Sequence, residues 1–148
     1  MYSKILIATD GTELAGKAVT QGLALAKQVG AEVAIVTVTE MWSVLEMAYQ
    51  AQADVSRPIE RYETAEAEHA ARILEPAAKK AAAAGVACTT THVSDMHPAE
   101  GILEAAGKAG SDLIVMASHG RRGLERVLLG SQALEVLTHS KIPVLVVR

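Results

Sequence analysis

The stretch Ala117-Ser118-His119-Gly120-Arg121-Arg122-Gly123 has the residue types best suited to chemistry in this chain. It follows the apolar run Leu113-Ile114-Val115-Met116, and further on Gly130-Ser131 opens a helical pattern. Small residues let backbone approach a ligand closely. A helix start leaves N–H groups unpaired where the helix dipole favours negative charge. Ser131 adds a hydroxyl, and Arg121 and Arg122 add charge-assisted donors for phosphate oxygens. The chemistry suggested is the binding of a polyphosphate. The competing reading of the two arginines is a solvated basic turn, and Gly123 serves the turn rather than a ligand.

Asp10 stands at the end of another apolar run, Lys4 to Thr9. An acidic side chain there can hold a ribose hydroxyl or a metal, or it can open the next helix as an Asx-turn. Gly11-Thr12-Glu13-Leu14-Ala15-Gly16-Lys17 matches seven positions of the P-loop pattern GxxxxGK[ST], but the eighth is Ala18, which lacks the Mg²⁺-binding hydroxyl. Helical periodicity begins inside this stretch, at Leu14, so a strand-to-helix turn capped by Thr12 is expected instead. His92 and His97 flank Ser94-Asp95, a weak metal pattern. Glu66 and His69, spaced i, i+3, read as a solvated helix face. Cys88 reads as a small core residue. There is no G-x-S-x-G elbow, and no catalytic machinery is legible.

Positioning such loops requires a core, and 148 residues suffice for one domain spanning 1–148. Half the residues are hydrophobic, yet there is no Phe and one Trp, so Val, Ile, Leu and Ala must build the interior. A net charge of −3 argues against nucleic acid or an anionic membrane as partner. No apolar run approaches the ~20 residues that span a bilayer. With no signal-peptide pattern and one cysteine, a cytoplasmic protein is expected.

Lys4 to Thr9, Glu32 to Thr39, Leu113 to Ala117 and Ile142 to Val147 read as strands buried on both faces, and Val86 to Val93 as an edge strand. Leu14 to Val29 reads as a helix stopped by Gly30. Ile59 to Ala81 reads as a long one with a kink or break at Glu75, before Pro76. Pro98 opens a third helix and Ser131 to His139 forms the last. The order β-α-β-α-β-α-β-α-β predicts a doubly wound α/β fold, a parallel sheet with helices on both faces. Ligands of such sheets bind beyond the carboxyl ends of the strands, where strand order reverses. Met41 to Arg57, with the only Trp, fits none of these elements.

Lys4-Ile5-Leu6-Ile7-Ala8-Thr9-Asp10-Gly11-Thr12, Ile114-Val115-Met116-Ala117-Ser118-His119-Gly120, Leu128-Leu129-Gly130-Ser131 and Ile142-Pro143-Val144-Leu145-Val146-Val147 together resemble the universal stress protein family over nearly the whole chain. The ATP-binding branch of that family carries G-x2-G-x9-G-[ST]. Nine residues, Arg121 to Leu129, separate Gly120 from Gly130, and Ser131 completes the motif. That register places Ala117 where the first glycine belongs. If the position needs positive φ, alanine costs on the order of 1 kcal/mol. If not, one methyl group faces the ligand or a neighbour.

The resemblance implies a flavodoxin-like, adenine nucleotide hydrolase-like fold with five strands in the order 3-2-1-4-5. It implies a site in which Ala8, Thr9 and Asp10 lie near ribose and base, and the Val38 backbone meets adenine. Met116 and Ala117 would line the ribose side. Gly120, Gly130, Ser131 and the Gln132 N–H would hold phosphates, with Arg121 assisting. The ligand implied is ATP or a related adenine nucleotide, with Mg²⁺ allowed. A homodimer through the last strand, Val144 to Val147, and an unidentified protein partner are implied as well. The function implied is stress-linked regulation by binding, with turnover not required. The rivals are a nucleotide-free dimeric interaction module and a slow ATPase.

Overall fold

The computed structural model describes residues 1–40, 58–120 and 129–148, with side chains for all of these except 58–61. Met41 to Arg57 and Arg121, Arg122 and Gly123 lie outside the described residues. The described elements run β1 (Lys4–Ala8), α1 (Glu13–Val29), β2 (Glu32–Thr39), α2 (Pro58–Ala84), β3 (Cys88–Ser94), α3 (Pro98–Ala109), β4 (Leu113–Ala117), α4 (Ser131–His139) and β5 (Val144–Val147). They form one five-stranded parallel sheet in the order β3-β2-β1-β4-β5. Fold class and strand order are those the sequence implied.

Alternate residues of the central strands feed two cores, one on each face of the sheet. Ile5, Ile7, Val33, Ile35, Leu113 and Val115 pack beneath α1 and α2, against Val19, Leu23, Leu74 and Ala81. Leu6, Ala34, Val36, Ile114 and Met116 pack beneath α3 and α4, against Ile102 and Val136. Ile5, Ile7, Ile35, Ile114 and Val115 have no exposed surface, and each such side chain stabilises by about 1.5–3 kcal/mol. Burial on both faces is why these runs show no alternation in sequence.

Punctuation follows local chemistry. The Thr12 hydroxyl accepts from the Ala15 N–H and caps α1. Gly30 and Gly110 end α1 and α3 in the left-handed conformation, φ 71° and 65°. β1 stops at Ala8, one residue short of expectation, and β3 runs from Cys88 to Ser94, shifted toward its carboxyl end.

Of the kink or break expected at Glu75, the break is excluded: α2 continues through Pro76. Ala70, Leu74, Ala77 and Ala81 are buried along one stripe that spans the proline. That packing outweighs the one hydrogen bond which Pro76 removes.

Candidate functional site

Strand order reverses at β1, which lies between β2 and β4. Pairing of β1 with β2 ends at Ala8↔Val36, and the Thr9 N–H makes a last bond to the Val36 carbonyl at 2.9 Å. β2 itself runs on to Thr39. Within a strand, N–H and C=O of one residue point the same way and alternate along the chain. Val36 faces β1, so Val38 turns its donor and acceptor toward the same side, where β1 has already ended. Its side chain is held from below: a Cβ on Gly101 of α3 would lie 2.7 Å from Val38 Cγ2. Among the described residues, that leaves the Val38 backbone donor and acceptor at a strand end with no paired strand on that side, next to the Asp10 turn.

Asp10 Oδ1 accepts from the Thr12 N–H at 3.0 Å and from the Thr12 hydroxyl at 2.6 Å. The Asx-turn reading therefore holds for this oxygen. The other oxygen, Oδ2, lies where Gly120 crosses, only 2.6 Å from the place a Cβ on that glycine would occupy. A side chain at position 120 would have to displace that oxygen of the protein's own Asp10, and the φ of Gly120 is not positive. Thr9 is buried, and its hydroxyl accepts from the Gly11 N–H at 3.2 Å. Ala8 and Met116, also buried, belong to the core under α3 and α4. Gly16 and Lys17 sit inside helix α1, as expected if no P-loop exists.

Ala117 closes β4, in register with Val147 of β5. Among the described non-glycine residues only Asp95 has a positive φ, at 57°. The strain alternative at position 117 is therefore removed. The Ala117 methyl belongs to the core on the α1 side, with Ala15 and Val147. Beyond it the Ser118 N–H reaches the Val147 carbonyl at 2.8 Å, and the Ser118 carbonyl accepts from the Gly130 N–H at 2.6 Å. A Cβ on Gly130 would lie 3.0 Å from that same carbonyl oxygen, so this glycine pins the start of α4 onto the end of β4.

No side chain caps α4 at Gly130. The first intrahelical bond runs from the Leu134 N–H to the Gly130 carbonyl, so the N–H groups of Ser131, Gln132 and Ala133 have no acceptor within the helix. Ser131 is exposed. The Gln132 side chain is used elsewhere, its Oε1 accepting from the Ala99 N–H at 3.0 Å in the first turn of α3. Two helix N-termini are thereby tied together at the carboxyl end of the sheet. Arg121 lies outside the described residues.

Some polar residues have partners that the sequence did not disclose. Glu66 was expected on a solvated face, and the structure corrects this: it is 5% exposed. The Thr39 hydroxyl donates to its Oε1, and Thr39 Oγ1 lies 2.8 Å from His92 Nε2. The reason is geometric, because Glu66 continues the buried stripe of Ala70, Leu74, Ala77 and Ala81 one turn toward the start of α2. That spacing was available in the sequence. Tyr62 stands at the same corner, and burial first, then the charges of Asp95 and Glu66, raise its phenol above the ordinary value.

Burial pushes the Cys88 thiol up, in keeping with a small, unreactive core-flanking residue. A groove of about 720 Å³ lies between α1 and α2, with Lys17, Arg72 and Lys80 on its walls and Thr9 at its end. Among the described residues no group of three or more His, Cys, Asp or Glu could hold a metal ion, and no helix is long and apolar enough to cross a membrane.

Comparison with known proteins places this arrangement. The model of the universal stress protein family matches residues 1–148. Universal stress protein MJ0531 of Methanocaldococcus jannaschii is 34% identical over 148 residues, covering 100% of this chain and 83% of that protein. The solved structure of hypothetical protein MJ0577 is similar at a TM-score of 0.82 and 30% identity, covering 99% of this chain and 96% of that one. A universal stress protein in complex with cAMP shares the fold at a TM-score of 0.69 and 24% identity, over 99% of this chain and 97% of that one.

Proposed function

The chain belongs to the universal stress protein family, and from this we propose that it binds an adenine nucleotide, ATP foremost, as a regulatory module without obligatory turnover. One observation carries the reading. Pairing with β1 ends two residues before Val38, leaving the Val38 N–H and C=O at the switch point, with Asp10 just past the end of β1 and the first turn of α4 just past the end of β4. A backbone donor and acceptor side by side suit the adenine edge, which offers an acceptor ring nitrogen next to an amino donor. In this reading Ala8, Thr9, Asp10, Met116 and Ala117 surround the ribose. The N–H groups of Ser131 and Gln132 meet phosphate, where the helix dipole adds to the attraction. Gly120 and Gly130 add no side-chain bulk on the phosphate side, and Arg121 supplies charge. Mg²⁺ enters only as the counterion of the triphosphate. A fold-mate solved with cAMP supports an adenine ligand in this architecture.

A second reading, the nucleotide-free dimeric module, has its own observation. The Gly130 N–H and Asp10 Oδ1 already have protein partners. Titration calorimetry with ATP, AMP and cAMP, and mass spectrometry of whatever co-purifies, separate the two. The first reading expects saturable binding, weakened about tenfold or more by Ser131→Asp. A carboxylate at the start of α4 suits the helix dipole, so the variant folds, but it repels phosphate. No heat, no co-purified nucleotide and no rise in melting temperature at millimolar ATP would establish the second reading.

A further inference from the structure

We propose that the Glu66–Thr39–His92 hydrogen-bond chain is the positioning device for base recognition, holding the Val38 backbone at the angle that adenine requires. The inference rests on the nucleotide reading above and names the residues that would give that site its preference for a base.

Val38 lies at the end of a strand whose β1 side is unsupported beyond Val36. Among the described elements, the supports for its peptide groups come from β3, α2 and α3. From α3 comes the close contact of Gly101 with the Val38 side chain. From β3 comes the register Val38↔Val93 and Thr39↔Ser94. The third support is chemical. Thr39, the next residue, is 7% exposed and points to the α2 face. Its hydroxyl proton goes to Glu66 Oε1, so its oxygen is left to accept, and His92 Nε2–H at 2.8 Å is the donor. His92 Nε2 and Glu66 Oε1 stand 3.9 Å apart, so the three groups close a triangle across β2, β3 and α2.

A carboxyl group with only 6% of its side chain exposed is costly to bury unless it is hydrogen-bonded. It therefore has few alternative positions, and Thr39 with it. Hydrogen-bond direction is steep in angle, so a small rotation of the 38–39 peptide would spoil two bonds to a planar base. It would leave phosphate contacts on α4 untouched. Base and phosphate affinity should separate.

The test titrates ATP and inorganic tripolyphosphate into wild-type protein and Thr39→Val, which is nearly isosteric but has no hydroxyl, with Thr39→Ser as the rescue. The expected result is about a tenfold loss of ATP affinity in Thr39→Val, tripolyphosphate affinity unchanged, and recovery in Thr39→Ser. Equal losses for both ligands, or no loss for ATP in a folded variant, would overturn the proposal. Should Thr39→Val fail to fold, His92→Ala, at the less buried end of the hydrogen-bond chain, decides by the same two ligands. Wild-type protein that binds tripolyphosphate but not ATP more tightly overturns the positioning role. Wild-type protein that binds neither overturns the nucleotide reading beneath it.

Discussion

Ala117 illustrates how one residue changes meaning once its surroundings are known. By motif it replaces a glycine and invites the expectation of a damaged loop. In the fold it is ordinary extended backbone, 9% exposed, in register with Val147 and part of the buried core on the α1 side of the sheet. Ala117→Gly should therefore destabilise by about 1–2 kcal/mol, from the lost methyl and the freer unfolded chain, and leave ATP affinity within about twofold. Urea denaturation and calorimetry of the same preparation check both. Tightened binding would show that the methyl does reach the ligand. Glu66 makes the opposite case, a charged residue that the stripe through Ala70, Leu74, Ala77 and Ala81 places inside. The stripe was legible; its buried carboxyl group was not foreseen, because Thr39 and His92 lie 27 and 26 positions away along the chain.

At the scale of elements, α1 lies on β1 through a glycine. A Cβ on Gly22 would come within 2.6 Å of Ile7 Cδ1 and 2.9 Å of Cγ1, and Ile7 has no exposed surface into which to move. Gly22→Ala gains about 1 kcal/mol of helix propensity but overpacks the seam by about 1–3 kcal/mol. A net loss of stability, read as a lower denaturation midpoint with an unchanged slope, is expected. The start of β4 is tied to β1 by Asp112, which accepts from the Ser3 N–H, the Ser3 hydroxyl and the Lys4 N–H. The Ser3 amide above all holds its carboxyl below the ordinary carboxylate value. A carboxyl lowered by folding contributes stability above its unfolded value and loses it as pH falls through the folded one. Asp112→Asn should thus cost stability at neutral pH and flatten the acid limb of the stability–pH curve below about pH 4. Helix boundaries were readable from Thr12, Gly30 and Ser131, whose roles are local. The unbroken course of α2 through Pro76 was not, since the burial that overrides proline is supplied by the sheet.

For the whole molecule the decisive feature is the outer edge of the sheet. β5 pairs with β4 on one side, and among the described residues no strand covers the other. Leu145 is 38% exposed there, and Leu134 and Leu137 of α4 are exposed at 55% and 41%. A bare apolar edge is a template for another strand, and a second copy offers the same surface under two-fold symmetry. We propose that a second copy pairs with this edge, giving the homodimer through Val144 to Val147 that the family resemblance implied. Leu145→Arg should convert the dimer to a monomer in light scattering coupled to size-exclusion chromatography, with the circular dichroism spectrum retained. A wild-type protein already monomeric at tens of micromolar would remove this assembly.

The sequence alone determined the five parallel strands, their order through the family resemblance, the cap at Thr12 and the helix opening at Ser131, because these depend on residues near one another or on periodicity. Tertiary structure alone decided which amides have acceptors, that Ala117 faces the core, that β1 ends before Val38, and that Glu66 is buried beside Thr39 and His92. Those outcomes depend on register between strands and on the face each side chain takes. A shift of one residue in a strand reverses every such facing, so only the assembled sheet can settle them.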